Sequence, residues 1–127
     1  MTTETLDRIF SEYIRLRDRI TGTQKCKCIS CGKIQDWKEM DAGHYVNRKH
    51  KSTRWSEKNV HSQCRSCNRF SEGNMSGYTL SLIKKYGKDI IEILHAQKQK
   101  TVKYSQFEID ALCNHYRKLV NELKAKQ

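Results

Sequence analysis

The chain has 127 residues, 36% hydrophobic and 31% charged, enough for one core and too few for two. No apolar run nears the roughly 20 residues of a membrane-spanning helix, and Met1-Thr2-Thr3-Glu4 lacks the basic and apolar regions of a secretory signal. Lys and Arg number 25 against 14 Asp and Glu, and the net charge of +11 makes a polyanion the expected partner, nucleic acid before an acidic membrane surface.

Those features point to an intracellular protein, where six cysteines read as metal ligands or free thiols and not as disulfides. The absence of proline excludes polyproline linkers. A single α+β domain over 1–127 is expected: an N-terminal helix over 5–22, a metal-stapled core over 26–77 and a helical part over 78–127.

Leu6, Ile9, Phe10, Tyr13, Ile14 and Leu16 recur at helical spacing, and Thr21-Gly22-Thr23 reads as the glycine stop. From Cys26 to Gly77 the helical period vanishes. All cysteines but Cys113 and both tryptophans lie there, among few aliphatic residues, so hydrophobic burial alone cannot hold the stretch. Helical signals return with Leu80 and Ile83 ahead of Tyr86-Gly87, then with Ile90, Ile91 and Leu94. Ser105-Gln106-Phe107-Glu108 reads as a capping box that opens a helix carrying Ile109, Leu112, Cys113, Tyr116, Leu119, Val120 and Leu123 on one face. Cys113 on that stripe is a small core residue.

Cys28-Ile29-Ser30-Cys31-Gly32 and Cys64-Arg65-Ser66-Cys67 form two C-x2-C knuckles. A two-residue gap aims both sulfurs of a knuckle at one point, and two knuckles complete a tetrahedron around structural Zn2+. The competing reading, a redox C-x-x-C, lacks a βαβ pattern around it. Cys26 is a spare. The knuckles are 32 residues apart, more than the roughly 15–20 of a simple zinc ribbon. The insert has room for a hairpin over Trp37 to Val46 and a loop.

Within that insert His44 precedes Asn59 by 15 residues, and an N-x4-C-x2-C-N run ends on Asn68. This pattern resembles an HNH, or ββα-metal, nuclease motif. Asp41-Ala42-Gly43-His44-Tyr45, Asn59-Val60-His61-Ser62-Gln63-Cys64, Cys67-Asn68, Gly73-Asn74 and Lys85-Tyr86-Gly87 resemble the phage lambda NinG (Rap) recombination family over roughly residues 5 to 95. Tyr13-Ile14-Arg15-Leu16-Arg17-Asp18 belongs to the same likeness. The stretch from Cys67-Asn68 to Glu72-Gly73 is also similar to the endonuclease VII family of phage resolvases. These resemblances imply a zinc-stapled ββα-metal core and a nuclease acting on branched recombination intermediates, Holliday junctions and D-loops, in the cytoplasm of a bacterial host. Composition and spacing alone imply only a basic, zinc-stapled nucleic-acid protein.

Phosphodiester hydrolysis needs an activated water, charge neutralisation at phosphorus and help for the leaving oxygen. His44 is the candidate general base. Asn68 and Glu72, four apart, share a face if a helix starts at the second knuckle, and their oxygens suit Mg2+ or Mn2+. Asn59 would hold the loop and orient His44. Many HNH proteins carry an acid immediately before the base, where this chain has Gly43, so Asp41 is either a third ligand to the catalytic ion or a turn residue. His61 reads as a strand or surface residue, and His50 as a phosphate contact.

Arg48, Lys49, Lys51, Arg54, Lys58, Arg65 and Arg69, interleaved with Tyr45 and Trp55 and opposed only by Glu57, read as a surface that tracks a DNA backbone. No base-reading helix is evident, so junction shape over base sequence is the expected determinant. A junction's two-fold character suits a homodimer joined through the C-terminal helices. Two other readings compete: a zinc-binding DNA module without catalysis, and an HNH enzyme nicking ordinary duplex.

Overall fold

The computed structural model describes residues 1–126 and is a mixed α+β molecule. Helix α1 spans Thr3–Arg17; Thr2 caps it by accepting from the Thr5 amide, and Arg15 and Arg17 in its last turn oppose the helix dipole. Its apolar stripe is the predicted one, but it stops before the predicted glycine. Asp18 closes the helix and accepts at 2.8 Å from the Ser62 amide, while Arg19 bridges to Cys26. Tertiary pairing therefore turns the chain early, and Gly22, with φ of +78°, serves the turn that follows.

Strands β1 (Lys25–Lys27) and β2 (Ile34–Asp36) pair antiparallel around the first knuckle. A short 3-10 turn over Trp37–Glu39 leads to β3 (Met40–His44), which pairs antiparallel with β4 (Val60–Cys64) from Met40 opposite Cys64 to His44 opposite Val60. The local hairpin expected over Trp37 to Val46 is thus absent. The partner of β3 lies beyond a loop that holds the four-residue helix α2 (Lys51–Arg54). After the second knuckle a π-helical turn covers Ser66–Phe70, then come α3 (Met75–Tyr86), α4 (Ile90–Lys98) and α5 (Gln106–Ala125).

Two cores result. In the first, α5 lies on α1, with the Tyr116 ring 4.9 Å from those of both Phe10 and Tyr13, and Trp55, Met40, Cys28, Cys64 and Cys67 join them. Cys113 is fully buried there, and the capping box of Ser105 and Glu108 is formed as expected. The second core gathers Val46, Tyr78, Leu82, Ile90 and Leu94. Tyr78 ties it to the β ribbon by donating to the Gly43 carbonyl at 2.7 Å. Among the described residues no helix is long and apolar enough to cross a membrane.

Candidate metal centre and adjoining cleft

The Sγ atoms of Cys28, Cys31, Cys64 and Cys67 all lie within 4.8 Å of one another, and those of Cys31 and Cys64 are 3.7 Å apart. A tetrahedron with Zn–S of about 2.3 Å places its sulfurs about 3.8 Å apart, so the four thiols fit such an ion. Gly32, with φ of +82°, lets the first knuckle close through its amide on the Cys28 carbonyl. The Cys67 amide points at Cys64 Sγ and Asn74 Nδ2 at Cys67 Sγ, each at 3.4 Å, which are donors suited to a thiolate ligand. Cys26 stands apart, buried, with its thiol on the Arg15 carbonyl. All six cysteines are free of disulfides.

Beside the knuckles a cleft of about 660 Å³ is lined by Asp41, His44, Asn68 and Glu72, together with Asp7, Arg48 and Arg69. The second knuckle carries Asn68 into it, since Asn68 follows Cys67 directly. Glu72 arrives by another route than the predicted helix: the π-helical turn ends at Phe70, and Glu72 stands in a left-handed conformation with φ of +50°.

His44 closes β3. Its Nε2 lies 2.9 Å from the Arg54 carbonyl, an atom that can only accept, so Nε2 carries the proton and Nδ1 keeps its lone pair. Burial lowers the His44 pKa, against a smaller opposing effect of the Arg54 carbonyl, and the ring is neutral at pH 7. Asn59 is fully buried and does the holding: Oδ1 accepts from the Val46 amide at 2.8 Å, and Nδ2 donates to the carbonyls of Val46 and Thr53. These bonds fix the strand end that bears His44 and the loop that supplies the Arg54 carbonyl.

Asp41 is engaged, not idle. It accepts a bidentate pair from Arg69, both bonds 2.9 Å, and a 3.0 Å bond from Asn68 Nδ2. The reason no acid stands at position 43 is steric. A Cβ on Gly43 would lie 1.9 Å from Gln63 Oε1, and Gln63 is buried and bonded through Nε2 to Ser30 and the Gly73 carbonyl.

One cleft residue escaped the sequence reading. Asp7, on α1, accepts from Arg54 Nε and Trp55 Nε1, each at 3.0 Å, and from Arg54 Nη2. Burial raises its pKa, but the Arg54 guanidinium, the Trp55 N–H and the charge of Arg48 together outweigh that effect and hold the carboxyl below the usual range. The signal available was a charge beside Leu6 and three before Phe10, on the flank of an otherwise apolar stripe.

The basic residues divide. Arg48 and Arg69 line the cleft, and Lys49 and Lys51 are exposed nearby. Arg54 is spent on Asp7, Lys58 lies over the Tyr86 ring, and Arg65 donates to Glu39 and to the Lys38 carbonyl. Trp55 is buried, so it presents no face to a nucleic acid. His50 precedes α2 without a capping bond. His61 lies on β4 but is 1% exposed, so it is a strand residue and no surface one.

A family model described as Bacteriophage Lambda NinG protein matches residues 2–126. Protein ninG of Escherichia phage lambda is 32% identical over 114 residues, which covers 89% of this chain and 46% of the relative. Protein ninG of Salmonella phage P22 is 30% identical over 113 residues, covering 88% of this chain and 52% of the relative. The chain therefore spans about half the length of the curated relatives it matches. No solved structure matches it.

Proposed function

We propose that this chain, which belongs to the bacteriophage lambda NinG family, is a divalent-metal-dependent DNA endonuclease with an HNH-like core that hydrolyses phosphodiesters in branched DNA. The observation that carries this reading is the shared cleft: a neutral imidazole with a fixed tautomer stands with Asp41, Asn68 and Glu72 in one depression that also holds Arg48 and Arg69. His44 Nδ1 takes a proton from water, and its Nε2–H stays on the Arg54 carbonyl, so the ring keeps its orientation as it becomes charged.

The donor types suit a hard cation, since the carboxylates of Asp41 and Glu72 and the amide oxygen of Asn68 line one cleft and would hold it. Asn68 turns Nδ2 toward Asp41, and a half-turn of its amide would present Oδ1 instead. Such an ion, Mg2+ or Mn2+, held by those residues would supply charge neutralisation at the phosphate and at the leaving oxygen. Arg48 and Arg69 hold the backbone at the cleft. Zn2+ on the four cysteines is structural.

The Asp41–Arg69 pair favours a second reading, because a carboxylate already neutralised by arginine suits a zinc-binding DNA module without catalysis. Synthetic four-way junction, flap and linear duplex, each incubated with Mg2+ or Mn2+, separate the two. The expected result is cutting of branched DNA by the wild-type chain and its loss, by at least about 100-fold, in His44→Ala with junction binding retained. Binding without cutting under either ion would establish the module, and equal cutting of linear duplex would establish an ordinary nicking enzyme.

A further inference from the structure

Phe70 is 82% exposed, at the end of the turn that carries Asn68 and Arg69 into the cleft, and the backbone around it is hydrogen-bonded on both sides. It ends the π-helical turn that carries Asn68 and Arg69, two residues ahead of Glu72. The Ser71 amide bonds the Ser66 carbonyl at 3.1 Å, and the Gly73 amide bonds that of Cys67 at 2.9 Å. Glu72, Gly73 and Asn74 follow one another with positive φ of 50°, 81° and 42°. The Gly73 carbonyl is gripped in turn by Gln63 Nε2 and Ser30 Oγ. A benzyl ring is thus held in water by a stiff backbone, and nothing in the chain's own core needs it there.

We propose that Phe70 is a stacking wedge for an unpaired or unstacked base at the strand-exchange point of branched DNA; this rests on the DNA-cleaving function proposed above and names what sets its preference for branches. The surroundings select a nucleic acid over an apolar protein partner. Arg69 precedes Phe70 directly and Arg65 precedes the same π-helical turn; their side chains are 53% and 45% exposed although paired with Asp41 and Glu39, and the chain carries a net charge of +11. An uninterrupted duplex offers the ring no base face, whereas a branch point breaks the stack and does. Because the loop's backbone is already hydrogen-bonded at Ser71 and Gly73, less ordering is left for the moment of contact. The wedge sits one residue from Arg69 and two from Asn68, so a base stacked on it sets which phosphate enters the cleft.

A four-way junction with 2-aminopurine at the branch, and a linear duplex with the same base inside, are titrated with the wild-type chain, Phe70→Ala and Phe70→Trp, without magnesium or manganese. Wild type is expected to change the 2-aminopurine fluorescence of the junction. Phe70→Ala is expected to bind the junction about tenfold more weakly and to lose that signal, with duplex affinity unchanged, and Phe70→Trp to restore both. Zinc content equal to wild type shows that the alanine variant is folded. Equal junction affinity and signal in wild type and Phe70→Ala overturn the proposal, as does an equal loss on the duplex. Because no cutting is required, a chain that never cleaves yet shows this difference sinks the hydrolytic reading and leaves the wedge standing. A chain that cuts junctions with Phe70→Ala unaffected does the reverse, and failure of all three proteins to bind the junction overturns both.

Discussion

His44 is set by neighbours it does not share an element with. Asp7 grips Arg54, and the carbonyl of Arg54 fixes the imidazole tautomer. Asp7→Asn weakens that grip and removes a charge that raises the His44 pKa. The expected outcome is a fall in kcat of about tenfold with KM little changed, and a shift of the acidic limb of the pH–rate profile to lower pH. In the wild type that limb is expected below the ordinary imidazole value of about 6.5, since burial already depresses His44.

His61 gives a second pH effect, on stability. The Tyr78 hydroxyl donates to the Gly43 carbonyl, so His61 Nδ1–H donates to Tyr78 at 3.3 Å and Nε2 accepts from Tyr86 at 2.7 Å. Burial lowers its pKa to about 3. The unfolded chain then binds a proton near pH 6.5 that the folded chain refuses, so stability is full above that value and falls by about 1.4 kcal/mol per pH unit down to about 3. Thermal melts from pH 7 to 4 should show this decline, flattened in His61→Gln. At this scale the sequence spoke through spacing: Asp41, His44, Asn68 and Glu72 line one cleft with Asn59 buried behind His44, whereas Asp7 did not announce itself because its partner lies 47 residues away.

Elements defined by local period were legible, and those defined by remote pairing were not. The stripes of α1 and α5, the capping box and the glycine after α3 were all readable from side-chain spacing. The partner of β3 was not, because a strand of five residues carries too little pattern to say which other strand it will meet. Nor did the knuckle spacing reveal that α3 sits directly on the first knuckle. A Cβ on Gly77 would lie 2.0 Å from the Ser30 carbonyl oxygen, a backbone atom with nowhere to go. Gly77→Ala should therefore push α3 off the knuckle and lower stability by about 1–3 kcal/mol, measured by denaturant unfolding.

At the scale of the whole molecule the four-cysteine cluster touches both cores. Cys28, Cys64 and Cys67 belong to the first, and Ile29, between two ligands of the same knuckle, packs on the second. Metal removal should consequently uncouple them. With zinc bound, melting is expected as one transition; after chelation, or in Cys64→Ser, the ribbon and α3 should lose amide protection from hydrogen exchange while α1 and α5 retain more of theirs.

Cys67 and Asn68 are joined by a single peptide bond, so whatever disturbs the sulfur also moves the amide that faces the cleft. An oxidant that linked two of the four thiolates would evict one ion and misalign the groups meant for another in the same stroke. If the chain cuts DNA as proposed, that competence would require a reducing environment, with the staple itself as the sensor.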